Sequence, residues 1–176
     1  DVVLDPIYKW KASIYERNKV IKPNEIYKPS RNNSCGYDLN NVIELDLINK
    51  RREEFKYKKW ILSSQLVAEP SGIISEIVNP SNSNDIVAEI KNTTVFDVKK
   101  AIENSNLWSV PNNEKSKVLN NIADLYEENF GEIFAILSRE AGKTIYDAIS
   151  EVREAVDFIR YYSYEARKLS RSKPRG

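Results

Sequence analysis

Apolar residues recur at intervals of three and four along the second half of the chain. Ile145, Ala148, Ile149, Val152, Ala155, Val156 and Ile159 fall on one face of a long helix, and Glu151, Glu154, Asp157 and Arg160 fall on the other. Thr144 is placed to cap its first turn, and Arg153 and Asp157 stand four apart as a surface ion pair. Upstream, Val118, Leu119, Ile122, Leu125 and Tyr126 predict a helix from about Asn113 to Phe130. Gly131 is expected to break it. A shorter helix carrying Ile133, Phe134, Ile136 and Leu137 then stops at Gly142, a good C′ glycine. Thr94 followed by Asp97 resembles a capping box, opening a helix with Val95, Val98, Ala101 and Ile102 on one side, which residues 105–113, with Pro111, terminate.

The period changes between residues 69 and 90. Ile73, Ile74, Ile77 and Val78, a turn-rich stretch at 79–85, then Ile86, Val87 and Ile90 predict two antiparallel strands joined by a loop. Before them, Asn40 or Asn41 can cap a helix beginning near Val42. Its imperfect stripe of Val42, Leu45, Leu47, Ile48 and Phe55 runs through a highly charged segment towards Trp60. Residues 1–34 hold Pro6, Pro23 and Pro29 among Tyr8, Trp10, Tyr15 and Tyr27 without any sustained period, and read as an extended connector lying against another domain. The expected architecture is mostly α-helical with a short antiparallel β-hairpin.

Charge adds little to this picture. Twenty-seven basic and 26 acidic residues leave a net +1, and acids interleave with the basic runs at 50–59, so a solvated helix face is expected there and no nucleic-acid partner. No apolar run approaches the roughly 20 residues of a transmembrane helix, and the first residues lack the features of a secretory signal, so the cytoplasm is the default location. The chain has no histidine, one cysteine and no methionine even at position 1, the last suggesting a piece of something longer. An intrachain disulfide, a transition-metal ligand set and any Ser-His or Cys-His pair are excluded within it.

The candidate nucleophile Cys35 sits in a polar loop without a group to lower its pKa. Gly142-Lys143-Thr144 has the end of a phosphate loop, but the position five residues before Gly142 is Leu137, so a helix C-cap followed by an N-cap is expected. Glu151, Glu154 and Asp157 form a row of carboxylates, read as a solvated face rather than an acid/base pair. Tyr161, Tyr162 and Tyr164 read as packing and interface residues.

REAGKT at 139–144, followed by the AxxEVREAVDFxRYY pattern at 148–162, closely resembles the aldehyde dehydrogenase module of the bifunctional proline-catabolic family proline utilization A. Arg31, Asn33, Ser34, Gly36, Asp38 and Leu39 look like that family's RxNSxGxDL segment, with Ile26-Tyr27 resembling the connector before it. Asn79-Pro80, Asp85-Ile86-Val87 and Asp97-Val98 with Ala101 resemble the module's hairpin and first helix. The resemblance implies an α/β fold of the aldehyde dehydrogenase type. Residues 1–40 would be a connector from a proline dehydrogenase-like barrel, 41–68 a linking helix, and 69–176 the N-terminal part of the NAD-binding domain, ending before the dinucleotide motif.

The activity implied is NAD-dependent oxidation of L-glutamate γ-semialdehyde, the open form of Δ1-pyrroline-5-carboxylate, to L-glutamate. The parent would also carry FAD in its proline dehydrogenase domain. The family's nucleophilic cysteine, base glutamate, oxyanion asparagine and dinucleotide-binding glycines have no counterparts here, so no catalytic, cofactor-binding or metal residue is assigned, and this segment is expected to bind no cofactor and to be inactive alone. Glu151 is placed at the aldehyde entrance. The partner implied is the remainder of the dehydrogenase, in cis or encoded separately, and the parent could be homo-oligomeric. The alternative is a helical interaction subunit that docks on a separately encoded dehydrogenase remainder. On either view apolar surface should be exposed.

Overall fold

A computed structural model of the chain describes residues 7–8, 21–64 and 69–171. Pro6, Trp10 and Tyr15 of the expected connector lie outside the described residues; Tyr8 and Tyr27 are exposed. After a short 3-10 turn at Pro23–Glu25 come helix α1 (Val42–Glu53), strands β1 (Trp60–Ser63), β2 (Ile74–Asn79) and β3 (Asn82–Lys91), and helices α2 (Val95–Glu103), α3 (Asn112–Glu128), α4 (Phe130–Glu140) and α5 (Ile145–Arg171).

Helix α1 begins where expected, because the Asn41 side chain accepts the amide proton of Ile43 at 3.0 Å. It ends at Glu53 instead of continuing towards Trp60. Of its stripe only Ile48 is fully buried, while Val42 and Leu47 face outwards, so little packing holds a longer helix together. Trp60, Ile61 and Leu62 instead pair in parallel with β3, Trp60 opposite Ala88, and the expected linking helix over 41–68 gives way to helix, turn and strand.

The predicted hairpin is present. β2 and β3 run antiparallel with Ile77 opposite Ala88, and β3 is the central strand of a β1-β3-β2 sheet. Its turn is tighter than the expected stretch 79–85, since β3 already begins at Asn82. Asn79 accepts the Ser81 amide at 2.9 Å, closing an Asx turn.

Helix α2 opens with the predicted capping box. Asp97 accepts from the Thr94 amide at 2.8 Å, and Thr94 Oγ1 accepts from the Asp97 amide at 3.3 Å. The Ser71 amide and hydroxyl also donate to Asp97, at 2.9 and 2.8 Å. The Thr94 backbone donor and then those of Ser71 hold the Asp97 carboxyl far below the ordinary value of 3.8. A carboxyl whose folded pKa is depressed stabilises the fold above its unfolded pKa and loses that contribution as pH falls. Stability should therefore decline below about pH 4, and Asp97→Asn should flatten that acid limb in urea melts taken across pH. The apolar side of α2 does not reach the core: Val95 is 74% exposed, Ile102 68% and Phe96 60%, and α2 packs against no other described helix or strand.

The break between α3 and α4 falls at Asn129, and Gly131 lies inside α4, correcting its expected role as the breaker. A Cβ there would stand 2.7 Å from the Arg51 carbonyl oxygen, so the glycine exists to let α1 approach α4. Gly131→Ala should cost about 1–3 kcal/mol in equilibrium urea unfolding, because the offending atoms are the Arg51 carbonyl and Cβ, which cannot swing aside without moving the backbone of α1.

The core lies between α1, α3, α4 and α5, with Ile48, Ala123, Phe130, Phe134, Ala148, Ile149, Val152 and Val156 at its centre. The face predicted for α5 is thus the one buried. Tyr37 closes the core from the segment before α1, its ring 5.4 Å from Phe130 and 5.8 Å from Phe134, and burial pushes its hydroxyl up to about 12.

Candidate functional site

The α4–α5 junction carries Glu151. Helix α4 terminates because Gly142 takes φ 64°, the left-handed conformation that glycine adopts without strain. The Ala141 and Lys143 amides both donate to the Leu137 carbonyl at 3.2 Å. Helix α5 then starts on Thr144, whose hydroxyl accepts the Asp147 amide at 3.2 Å and donates to the Asp147 carboxylate at 2.7 Å. Gly-Lys-Thr is therefore a stop and a start, as expected. Lys143 Nζ lies 2.5 Å from Glu151 Oε1, and that hydrogen bond raises the lysine pKa. Glu151 is exposed at the surface of α5 and fixed on one side by this lysine.

Arg139, the first residue of REAGKT, is buried and ties three segments together. Its guanidinium binds both oxygens of Asp85, with Nη2 at 2.7 Å and Nε at 3.2 Å, and Nη1 donates to the carbonyls of Phe55 and Lys58 at 3.1 and 2.5 Å. Asn79 also donates to Asp85, at 3.0 Å. Hydrogen bonds from Arg139 and then Asn79 hold the Asp85 carboxyl below its ordinary value. The hairpin, the turn after α1 and helix α4 are fixed to one another through a single side chain.

The RxNSxGxDL segment is held against α5. Ser34 donates to Asp157 from its amide at 2.9 Å and its hydroxyl at 2.8 Å, and Arg31 reaches the same carboxylate at 3.3 Å. With its amide nitrogen turned inwards, Asn33 donates to Asp157 at 2.9 Å as well. Arg160 donates to the Asn33 carbonyl at 3.2 Å and pairs with Glu127 and Asp124, each at 2.7 Å, while the Cys35 amide donates to Glu127 at 2.7 Å. Asp157 and Arg160 thus leave the solvated face assigned to them. The partners of Asp157 come from more than a hundred residues upstream, Arg160 joins the Asn33 carbonyl to two carboxylates of α3, and Arg153, expected to pair with Asp157, donates instead to Ser34 at 3.4 Å.

The carboxylate row is accordingly divided: Glu151 belongs to Lys143, Glu154 faces solvent and Asp157 belongs to the clasp on Ser34. Cys35 is exposed, and burial of the sulfur followed by the Glu127 carboxylate pushes its thiol pKa up, the reverse of what a nucleophile needs. Among the described residues no group of three or more His, Cys, Asp or Glu side chains is placed to hold a metal ion. Sequence reasoning singled out Glu151 and missed the Arg139–Asp85 lock, although both residues lie in motifs it quoted.

Residues 67–175 match the model of the aldehyde dehydrogenase family. Bifunctional protein PutA of Escherichia coli K12 is 35% identical over 156 residues, an alignment covering 85% of this chain and 12% of that protein. The 1-pyrroline-5-carboxylate dehydrogenase of Staphylococcus haemolyticus is 32% identical over 104 residues, covering 55% of this chain and 20% of that enzyme. The crystal structure of proline utilization A from Bdellovibrio bacteriovorus superposes with a TM-score of 0.72 at 25% identity, over 85% of this chain and 16% of that one. The Δ-pyrroline-5-carboxylate dehydrogenase of Mycobacterium tuberculosis shares the fold, with a TM-score of 0.68 at 20% identity, over 81% of this chain and 28% of that one. The chain therefore spans only a small part of the length of these relatives. Since the family match runs over more than half of its residues, this chain belongs to the aldehyde dehydrogenase family.

Proposed function

We propose that this chain forms the N-terminal lobe of the dehydrogenase module of a bifunctional proline-catabolic oxidoreductase, which oxidises L-glutamate γ-semialdehyde to L-glutamate with NAD. One observation carries this reading over a single-function dehydrogenase. In sequence, the likeness to the bifunctional relative covers 85% of the chain and that to the 1-pyrroline-5-carboxylate dehydrogenase 55%, while the shared fold extends over most of the chain in both kinds of relative. In this reading residues 1–40 are the connector from a proline dehydrogenase-like barrel. The dehydrogenase module takes in β1, because that strand pairs with β3.

NAD, when bound to the parent, accepts the hydride. The described residues do not fit a dinucleotide: the one glycine-lysine-threonine sequence is a pair of helix caps, and its lysine is engaged by Glu151. No step through NAD or FAD is assigned to them. Their part is positional. The Arg139–Asp85 lock and the Ser34–Asp157 clasp set the orientation of α4 and α5, and Lys143 restrains Glu151, which faces the approaching semialdehyde. The reacting cysteine and water-activating glutamate belong to the remainder of the module, the partner of this lobe, in the cytoplasm. Among the described residues no helix is long and apolar enough to cross a membrane.

In the full-length enzyme, Glu151→Ala should raise the KM for the semialdehyde about tenfold, the effect of losing roughly 1.4 kcal/mol of binding, and leave the KM for NAD unchanged. An unchanged semialdehyde KM would remove Glu151 from the entrance. The second reading, a helical subunit docking on a separately encoded remainder, draws on the exposed apolar side of α2. The neighbouring reading frame separates the two, since only the second requires it to begin with the cofactor-binding strand.

A further inference from the structure

We propose that the cleft between the C-terminal end of α1, the hairpin and α4 binds an oxyanion, a carboxylate or a phosphate, on the guanidinium of Arg52. The cleft, of about 590 Å³, is lined by the cations Arg52, Lys56 and Arg139, the carboxylates Glu53 and Asp85, and Tyr57, Asn82 and Asn84, among others. The site is independent of the proposed function and of Glu151.

The argument is one of charge pairing. Three cations line the cleft, and two are already engaged: Arg139 by both oxygens of Asp85, and Lys56 by Glu53 at 3.0 Å. Among the described residues Arg52 makes no salt bridge, and the carboxylate nearest it in sequence, Glu53, is bonded to Lys56. Its one hydrogen bond, from Nη2 to Ser138 Oγ, is long at 3.4 Å, and its Nε is buried without an acceptor. A guanidinium offers five donors in a fixed fork, and one that is half-buried and nearly unused is costly unless an acceptor completes it. Water could satisfy donors but would leave the charge uncompensated, whereas a planar carboxylate or a phosphate does both.

The exposed side chains of Asn82 and Asn84, at the start of β3, also line the cleft as neutral donors, and its two carboxylates, Glu53 and Asp85, are taken up by Lys56 and Arg139. Another basic cleft among the described residues, about 350 Å³ and lined by Lys28, Arg31, Arg160 and Arg167 among others, provides the contrast. There Arg31 is paired with Asp157, and Arg160 with Asp124 and Glu127.

The test is a thermal melt of the whole chain titrated with inorganic phosphate and, separately, with succinate, at ionic strength held constant with sodium chloride. A saturable rise in Tm is expected, and Arg52→Gln should weaken the apparent affinity about tenfold or more, as expected for loss of a charged hydrogen-bonding partner. A rise with phosphate alone identifies a phosphate site, and one with succinate a carboxylate site. No saturable rise in the unmodified chain, or an equal rise in Arg52→Gln, overturns the proposal. Should Arg52→Gln fail to fold, amide chemical shifts of the unmodified chain decide. Changes induced by phosphate or by succinate and centred on Arg52, Tyr57 and Asn84 uphold it, and changes centred on Arg31 and Arg160, or on no one region with either anion, overturn it.

Discussion

Replacing Arg139 with methionine should cost roughly 3 kcal/mol in equilibrium urea unfolding, with the hairpin losing its fixed position against α4. The side chain is 10% exposed and holds both oxygens of Asp85 together with the carbonyls of Phe55 and Lys58. Methionine fills most of the same volume, so the loss reports the hydrogen bonds and the charge. Asp85 would be left with Asn79 as its remaining partner at the edge of the cleft. Breaking a buried pair costs about 3–5 kcal/mol when the abandoned charge stays dry. The Asp85 side chain is 26% exposed, so water can reach it and the lower end applies. Asp85→Asn in the Arg139→Met background should then restore part of the loss, because it removes the unpaired charge. A loss well below about 1 kcal/mol in the single variant would show that the lock contributes little to stability.

Phe134→Ala should be at least as damaging, about 3–5 kcal/mol. Phe134 is completely buried, and its ring lies 5.5 Å from that of Phe130 and 5.8 Å from that of Tyr37. Removing the ring opens a void that α1, α4 and α5 share, so no single side chain can move to fill it. Phe134→Leu keeps much of the volume and should cost clearly less, on the order of 1–2 kcal/mol. If both variants lost the same amount, the ring's shape rather than its volume would be what the core requires. Urea midpoints at constant m-value distinguish these outcomes.

Elements whose causes are local were legible in the sequence. The Asn41 cap, the Thr94–Asp97 box, the Thr144 cap and the Gly142 stop each need only a few neighbouring residues, and each forms as expected. The buried face of α5 follows from period alone, with Ala148, Ile149, Val152 and Val156 all in the core. Features whose causes lie far along the chain were not legible. Asp157 and Arg160 look like solvated charges until Arg31, Asn33 and Ser34 are laid beside them. Gly131 looks like a helix breaker until α1 crosses it at the Arg51 carbonyl. Residues 60–63 join a charged helix on paper, and become a strand because β3 offers an open edge.

The same distinction applies to the candidate site. The caps on either side of Lys143 were readable, but its bond to Glu151 spans the α4–α5 junction and required the angle between those helices. The exposed apolar side of α2 agrees with the expectation that apolar surface would remain uncovered, and period alone could not identify that helix as the one left bare.

The most direct test is a chimera in which residues 67–175 of this chain replace the matching stretch of Escherichia coli PutA. The folded chimera should oxidise L-glutamate γ-semialdehyde with NAD at a kcat/KM within about tenfold of the parent, a difference of about 1.4 kcal/mol in the barrier. A chimera that folds, binds NAD and forms no NADH from the semialdehyde would contradict the account.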